Sequence, residues 1–246
     1  MPPTAPVELH LAHTAQGKAV DVHRPAGSSV PLPTVLLWHG VGPDERDVLR
    51  PLAGAVAALG ALVVVPDWRS DEPDAGRAQL LGSLEWCRAN AAGLGGDPEQ
   101  FVLAGWSAGG SAAVAVALRP GLVDGPRPLA AVSIASRYDL PARTTGTVPL
   151  AEPDGGPAGP HVPVRLVHGT GDTLIEPERS REFRAALAAR DRPVRLDEPA
   201  ADHAGVIMTE FDPALGRCRP SEDERVRAAG MVTARVLAEA AGLPVA

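Results

Sequence analysis

The stretch Phe101-Val102-Leu103-Ala104-Gly105-Trp106-Ser107-Ala108-Gly109-Gly110 constrains this chain more than any other. A short apolar run with strand character passes straight into G-x-S-x-G and then into Ala-rich, helix-forming sequence. A serine at so sharp a strand-to-helix turn takes a strained backbone conformation. Gly105 and Gly109 stand two residues to either side, where a side chain would crowd the turn. Ser107 is then presented at the C-terminal edge of a sheet. The helix N-terminus behind it aims N–H groups and a positive dipole end at developing negative charge. In a chain with 26 glycines a bare G-x-S-x-G arises by chance, and Ser107 is then only a turn residue. The strand before it, the helix after it and the extra Gly110 favour a nucleophile.

The remainder supplies the sheet that such a turn needs. Thr34–Trp38, Ala61–Val65, Phe101–Ala104, Leu129–Ile134, Val164–Val167 and Val194–Leu196 are short apolar runs without alternation, as expected of strands buried on both faces. Helical stretches lie between them at about Asp47–Leu59, Ala75–Ala92, Ala108–Leu118, Glu178–Ala189 and Glu222–Ala240. In the second of these Leu80, Leu81, Leu84 and Cys87 recur at helical spacing. Asp97-Pro98 is expected as a turn before the elbow strand. Val7–Ala12 and Ala19–His23 form a candidate antiparallel hairpin. The alternation predicts an α/β fold, a mostly parallel central sheet with helices on both faces, in one domain over 1–246. A Pro/Gly-rich loop at about 144–163 interrupts the pattern and is expected in the position of a lid.

The 246 residues carry 45% apolar and 22% charged side chains, enough for a folded core without disulfides or metal. A net charge of −7 argues against a sequence-independent nucleic-acid binder. No stretch approaches the ~18 apolar residues of a membrane span. No basic segment followed by an apolar run opens the sequence, so the expectation is a cytoplasmic protein. Cys87 and Cys218 are too few for a zinc framework, and their pairing is left open. Gly40-Val41-Gly42 is too short for a phosphate fingerprint, and no cofactor or metal is expected.

Taken together, these motifs resemble the α/β-hydrolase superfamily over nearly the whole chain. Leu36-Leu37-Trp38-His39-Gly40-Val41-Gly42 resembles the oxyanion loop after the third strand, with Val41 where lipase-like members read the second Gly of H-G-G-G. Val64-Val65-Pro66-Asp67-Trp68-Arg69 and Leu94-Gly95-Gly96-Asp97-Pro98 are similar to esterases of the hormone-sensitive-lipase type. Val167-His168-Gly169-Thr170-Gly171-Asp172 and Ala201-Asp202-His203-Ala204-Gly205 look more like the dienelactone-hydrolase and prolyl-peptidase side. The resemblance implies Asp172 as the acid and His203 as the base. Dienelactone hydrolases use a Cys nucleophile, so Ser107 argues against that activity.

The chemistry needs the same residue types. A serine hydroxyl requires a base, His fits near neutral pH, and a carboxylate on its other ring nitrogen fixes the tautomer. The chain order Ser, Asp, His is that of this fold. Asp139 and Asp202 are alternative acids. His10, His13 and His23 are expected at the surface, and His39 and His168 in structural roles. Asp67 is expected to cap a turn or pair with Arg69. Trp106 is expected in the core or the acyl-pocket wall, and Trp68 and Tyr138 are candidate site-lining residues.

The expected function is hydrolysis of short or medium acyl esters of a small-molecule substrate. The oxyanion would be held by the N–H of Ala108 and of Val41 or Gly42. A thioesterase, acyltransferase or peptidase would use the same triad, and a non-catalytic receptor would keep only the fold. Nothing here bears on oligomeric state.

Overall fold

A computed structural model describes residues 6–119, 121, 127–151 and 161–245. The centre of the predicted lid loop, residues 152–160, lies outside the described residues. The strands are β1 (Val7–His13), β2 (Ala19–Pro25), β3 (Leu32–Trp38), β4 (Leu62–Pro66), β5 (Gly96–Trp106), β6 (Ala130–Ile134), β7 (Val164–Val167), β8 (Val194–Asp197), β9 (Thr209–Asp212) and β10 (Arg217–Pro220). The helices are α1 (Arg50–Ala58), α2 (Arg77–Asn90), α3 (Ala108–Leu118), α4 (Glu178–Ala188) and α5 (Glu224–Ala240).

Eight strands form one sheet in the order β1-β2-β4-β3-β5-β6-β7-β8. β1 pairs antiparallel with β2, and β2 antiparallel with β4. Every pairing from β4 through β8 is parallel. Successive side chains of a strand point to opposite faces, and here both faces are covered. Val35 and Leu37 of β3 pack with Leu52 and Val56 of α1 and Leu237 of α5. Leu36 and Trp38 pack on the other face with Leu80 and Leu84 of α2 and Ala113 and Val116 of α3. That is why these strands read as unbroken apolar runs.

Local chemistry sets several boundaries. The helix expected from Asp47 starts as a 3-10 turn, Arg46–Leu49, and becomes α-helical only at Arg50. Pro51 has no N–H to bond one turn back, so it fits the first turn of a helix and not its interior. The turn expected at Asp97-Pro98 sits inside β5. Gly96 and Asp97 pair with Leu32 and Pro33, and pairing resumes only at Phe101 with Thr34. Asp97 Oδ1 accepts the N–H groups of Glu99 (2.9 Å) and Gln100 (3.3 Å) and closes the excursion.

The structure corrects several side-chain expectations. His23 is buried, because β2 lies inside the sheet between β1 and β4. Asp67 pairs with Arg46, accepting its backbone N–H (3.0 Å) and its guanidinium (2.5 Å), while Arg69 pairs with Asp44 and Asp71. Tyr138 is a core residue: it stacks on Phe183 with ring centroids 4.0 Å apart and donates to Ser133 Oγ at 3.0 Å. Trp68 is fully buried, stacked on His39 in the loop after β3, and is not among the residues that line the cavities at Ser107. The β9–β10 hairpin was not expected. Cys87 and Cys218 are both free thiols.

Candidate active site

Ser107 sits between β5 and α3 with φ 55° and ψ −120°, the strained geometry expected of this turn. Close packing compels it. A Cβ on Gly105 would collide with the backbone of Gly109, and one on Gly109 would meet the carbonyl oxygens of Trp38 and His39 at 2.5 Å. The elbow is thereby pressed onto the end of β3. Ala108 is the first residue of α3, so its N–H has no helical partner one turn back, and the residue lines a cavity at Ser107.

His39 shapes the loop after β3. It is fully buried, stacks on Trp68 and makes two bonds of opposite sense. Nδ1 donates to the carbonyl of Gly40 at 3.0 Å, and Nε2 accepts the N–H of Trp68 at 3.2 Å. Only a neutral ring does both, and burial pushes its pKa down to about 3. Gly40 makes the close approach to the elbow, since a Cβ there would lie 3.0 Å from the Trp106 ring. Val41 points outward, 54% exposed, so the change from Gly at that position is accommodated. Its carbonyl is tied back by the Ser70 hydroxyl at 2.5 Å.

The candidate base and acid, His203 and Asp172, come from loops after β8 and β7. His203 Nδ1 lies 2.7 Å from Asp172 Oδ2. The other oxygen, Oδ1, accepts the N–H groups of Leu174 and Ile175, both at 2.9 Å. His168 Nε2 is 3.3 Å from Oδ2. Burial alone would raise the Asp172 pKa. The hydrogen bonds from His168, His203 and the Ile175 N–H outweigh it and hold the carboxyl well below the usual range. An ionised Asp172 only accepts, so Nδ1 of His203 carries its proton and Nε2 is left with a lone pair. The two loops are laced together: Thr170 N–H donates to the Pro199 carbonyl at 3.0 Å and Gly171 N–H to that of Ala201 at 2.9 Å. The structure thus brings Asp172 to His203.

The alternative acids are engaged elsewhere. Asp139 makes a two-point pair with Arg137 at 2.9 and 2.8 Å, which draws its pKa down to about 2. Asp202 Oδ1 accepts the Gly205 N–H at 2.7 Å and caps the turn after the base. His168 is structural: Nδ1 accepts from Ser180 Oγ at 2.7 Å and Nε2 lies 2.8 Å from the Ile175 carbonyl.

Two cavities meet at Ser107. One, about 550 Å³, lies toward α2 and the loop after β6 and is also lined by Ala108. The other, about 460 Å³, is lined by His203, Trp106, Val41, Gly42 and the β9–β10 hairpin. Glu45 also borders the second cavity, and a Cβ on Gly42 would overlap its carboxylate. Burial raises the Glu45 pKa, with Arg217 opposing and Asp47 adding to the rise. Neither Glu45, nor the hairpin, nor the role of His168 as a second partner of Asp172 was singled out from sequence. The one local signal was Asp212-Pro213 followed by Gly216, a turn flanked by short alternating segments. Among the described residues no group of three or more His, Cys, Asp or Glu is placed to hold a metal. Among the described residues no helix is long and apolar enough to cross a membrane.

Comparison with known proteins agrees with this architecture. A family model described as alpha/beta hydrolase fold matches residues 44–238. Versiconal hemiacetal acetate esterase of Dothistroma septosporum is 35% identical over 114 residues, covering 42% of this chain and 35% of that enzyme. Carboxylesterase NlhH of Mycobacterium tuberculosis is 39% identical over 101 residues, covering 39% of this chain and 32% of that enzyme. The matched stretch thus spans about a third of the length of these curated relatives. Among solved structures, a thermophilic esterase of Thermogutta terrifontis superposes with a TM-score of 0.72 at 19% identity, covering 100% of this chain and 98% of that one. A thermostable esterase of Pseudomonas putida gives 0.70 at 18% identity, covering 99% and 85%. At such identities the likeness is one of fold. With the family model spanning most of its length, this chain belongs to the alpha/beta hydrolase fold family.

Proposed function

We propose that the chain hydrolyses carboxylic esters through an acyl-enzyme on Ser107. The observation that carries this reading is the 2.7 Å contact of His203 with Asp172, with His203 lining a cavity shared with Ser107. His203 Nε2 takes the hydroxyl proton as Oγ bonds to the ester carbonyl carbon. The carbonyl oxygen becomes an oxyanion, held by the N–H of Ala108 and of Val41 or Gly42. The carbon–oxygen bond to the alcohol breaks, and His203 returns the proton to the departing oxygen. A water then loses its proton to His203, attacks the acyl carbon and releases the acid.

The names of the curated relatives, both esterases, support ester over amide or thioester substrates. Cavities of about 550 and 460 Å³ suit small-molecule esters with short or medium chains. We place the enzyme in the cytoplasm, where its two free thiols would persist, and take the chain as a single catalytic domain.

The test is intact-mass labelling with a fluorophosphonate, paired with turnover of 4-nitrophenyl esters. One adduct on the wild type, absent from folded Ser107→Ala, together with ester turnover lost in that variant, is the expected result. An unlabelled, well-folded wild type without turnover sinks the reading.

A further inference from the structure

The two cavities that meet at Ser107 differ in charge. The larger one is lined by Arg77, Arg137 and Arg143 against a single acid, Asp74. The smaller is lined by Glu45 and Asp202 against Arg217. In a chain of net charge −7 a pocket bearing three guanidinium groups runs against the background.

The acids near these arginines are only partly available to neutralise them. Asp74 has both oxygens committed to backbone, accepting the N–H of Gly76 at 3.0 Å and of Ala78 at 2.8 Å. Asp139 clamps Arg137. Among the described residues no carboxylate pairs with Arg77 or Arg143. Arg143 is held in place: it donates to the Ala75 carbonyl at 3.3 Å and lies 5.6 Å over the Trp68 ring. Ala75 has φ +57°, and a Cβ on Gly76 would run into Trp68 and the Arg69 carbonyl. The loop leading to Arg77 is therefore pinned against the same tryptophan.

The chemistry assigns the two sides. His203 must hand its proton to the departing alcohol oxygen, so the alcohol occupies the cavity that His203 lines. That cavity has an apolar rim of Val41, Leu174 and Phe211, exposed by 54%, 75% and 59%. The acyl group is left with the arginine-bearing cavity.

Resting on the ester-hydrolase reading, we propose that the acyl group carries a carboxylate bound by Arg77 and Arg143, so that the preferred substrates are monoesters of dicarboxylic acids with an apolar alcohol. Hydrolysis of the monoester anion consumes one water and yields the dicarboxylate, the free alcohol and one proton. A guanidinium fork matches a carboxylate in shape and charge, whereas a neutral acyl chain leaves both groups unused.

The test compares kcat/KM for the butyl monoesters of glutaric and adipic acid with that for butyl pentanoate and butyl hexanoate, by titrating released acid. The monoesters are expected to lead by tenfold or more at low ionic strength, with the lead shrinking in 0.5 M salt. Arg77→Gln changes an exposed residue, and it is expected to cut the monoester-to-neutral ratio at least threefold. Adding Arg143→Gln is expected to cut it further. Turnover of the neutral esters with no monoester preference, or a ratio unmoved by Arg77→Gln, overturns this inference while leaving ester hydrolysis standing. A preference instead for esters whose alcohol bears the carboxylate overturns the assignment of sides. No turnover of any ester, with Ser107 unlabelled by fluorophosphonate, overturns both readings.

Discussion

The indole N–H of Trp106, the residue before Ser107, donates a 2.9 Å hydrogen bond to the backbone carbonyl of His203. The two rings also meet, with centroids 5.1 Å apart. The Ser107 turn and the His203 loop, nearly a hundred residues apart in sequence, are thus joined by one side chain. Trp106→Phe keeps a ring in the site and removes the donor. A neutral hydrogen bond is worth about 1 kcal/mol, and small misplacements of a base lower turnover steeply. We expect kcat to fall about tenfold, with a smaller change in KM, in steady-state ester hydrolysis. An unchanged kcat would show that the laced loops around Gly171 suffice to hold the base.

Asp172 and Asp139 make a second comparison. Asp172→Asn replaces an acceptor facing Nδ1 with a side chain able to donate there, which favours the wrong tautomer of His203. The expected loss of kcat is on the order of 10³–10⁴. Asp139→Asn removes a partner of Arg137 and leaves the contact between Asp172 and His203 intact, so its loss should be far smaller. Side-by-side kinetics with both variants checked for folding decide this, and the reverse ranking would reassign the acid.

The elbow, the strand ladder and the positions of Ser107 and His203 were legible in sequence because each rests on a local pattern of strand, turn and helix. Asp172 needed more, since its claim over Asp139 depends on which loop reaches the base, and that is set by lacing between residues about thirty apart. His23 was misread for the same kind of reason. An alternating segment near the start of a chain reads as an edge hairpin, and only the insertion of β2 between β1 and β4 buries it. Arg46 as partner of Asp67, and Glu45 in the site, follow from how the 3-10 turn before α1 folds back over β2 and β4. The β9–β10 hairpin is too short, and its strands too charged, to stand out by periodicity.

That burial of His23 makes stability depend on pH. Desolvation pushes its pKa down to about 4 from an ordinary 6.5, with Asp21 opposing and Arg50 assisting. Its Nε2 has no hydrogen-bond partner among the described residues. A base with a depressed folded pKa takes up its proton more readily when unfolded. Stability is therefore full above pH 6.5 and is lost as the pH falls toward 4, by up to about 3 kcal/mol. His39, pushed down to about 3, acts in the same direction over a wider range. Urea unfolding at pH 7.5, 5.5 and 4.5 should show this loss, and His23→Gln should flatten the slope. An equal slope in the variant would place the acid sensitivity elsewhere.

The close approach of the Ser107 turn to the loop after β3 yields the last prediction. A methyl group at Gly109 would meet two backbone carbonyl oxygens, those of Trp38 and His39, at 2.5 Å. Backbone at the end of β3 cannot rotate aside as a side chain would, so either β3 or α3 must shift. Overpacking of this kind typically costs about 1–3 kcal/mol. The shift also moves the N–H of Ala108 relative to that of Val41, and an oxyanion-hole donor is worth ~10²–10³ in turnover. Gly109→Ala should therefore lose both stability and activity, with activity the larger casualty. Gly93→Ala is the control, because a Cβ there has open space around it and its backbone lies outside the left-handed region that resists a side chain. Thermal unfolding and kcat measured on both variants would separate the outcomes. A Gly109→Ala enzyme of full activity would mean that the oxyanion donors tolerate displacement, and that the hole is built from groups other than Ala108 and the loop after β3.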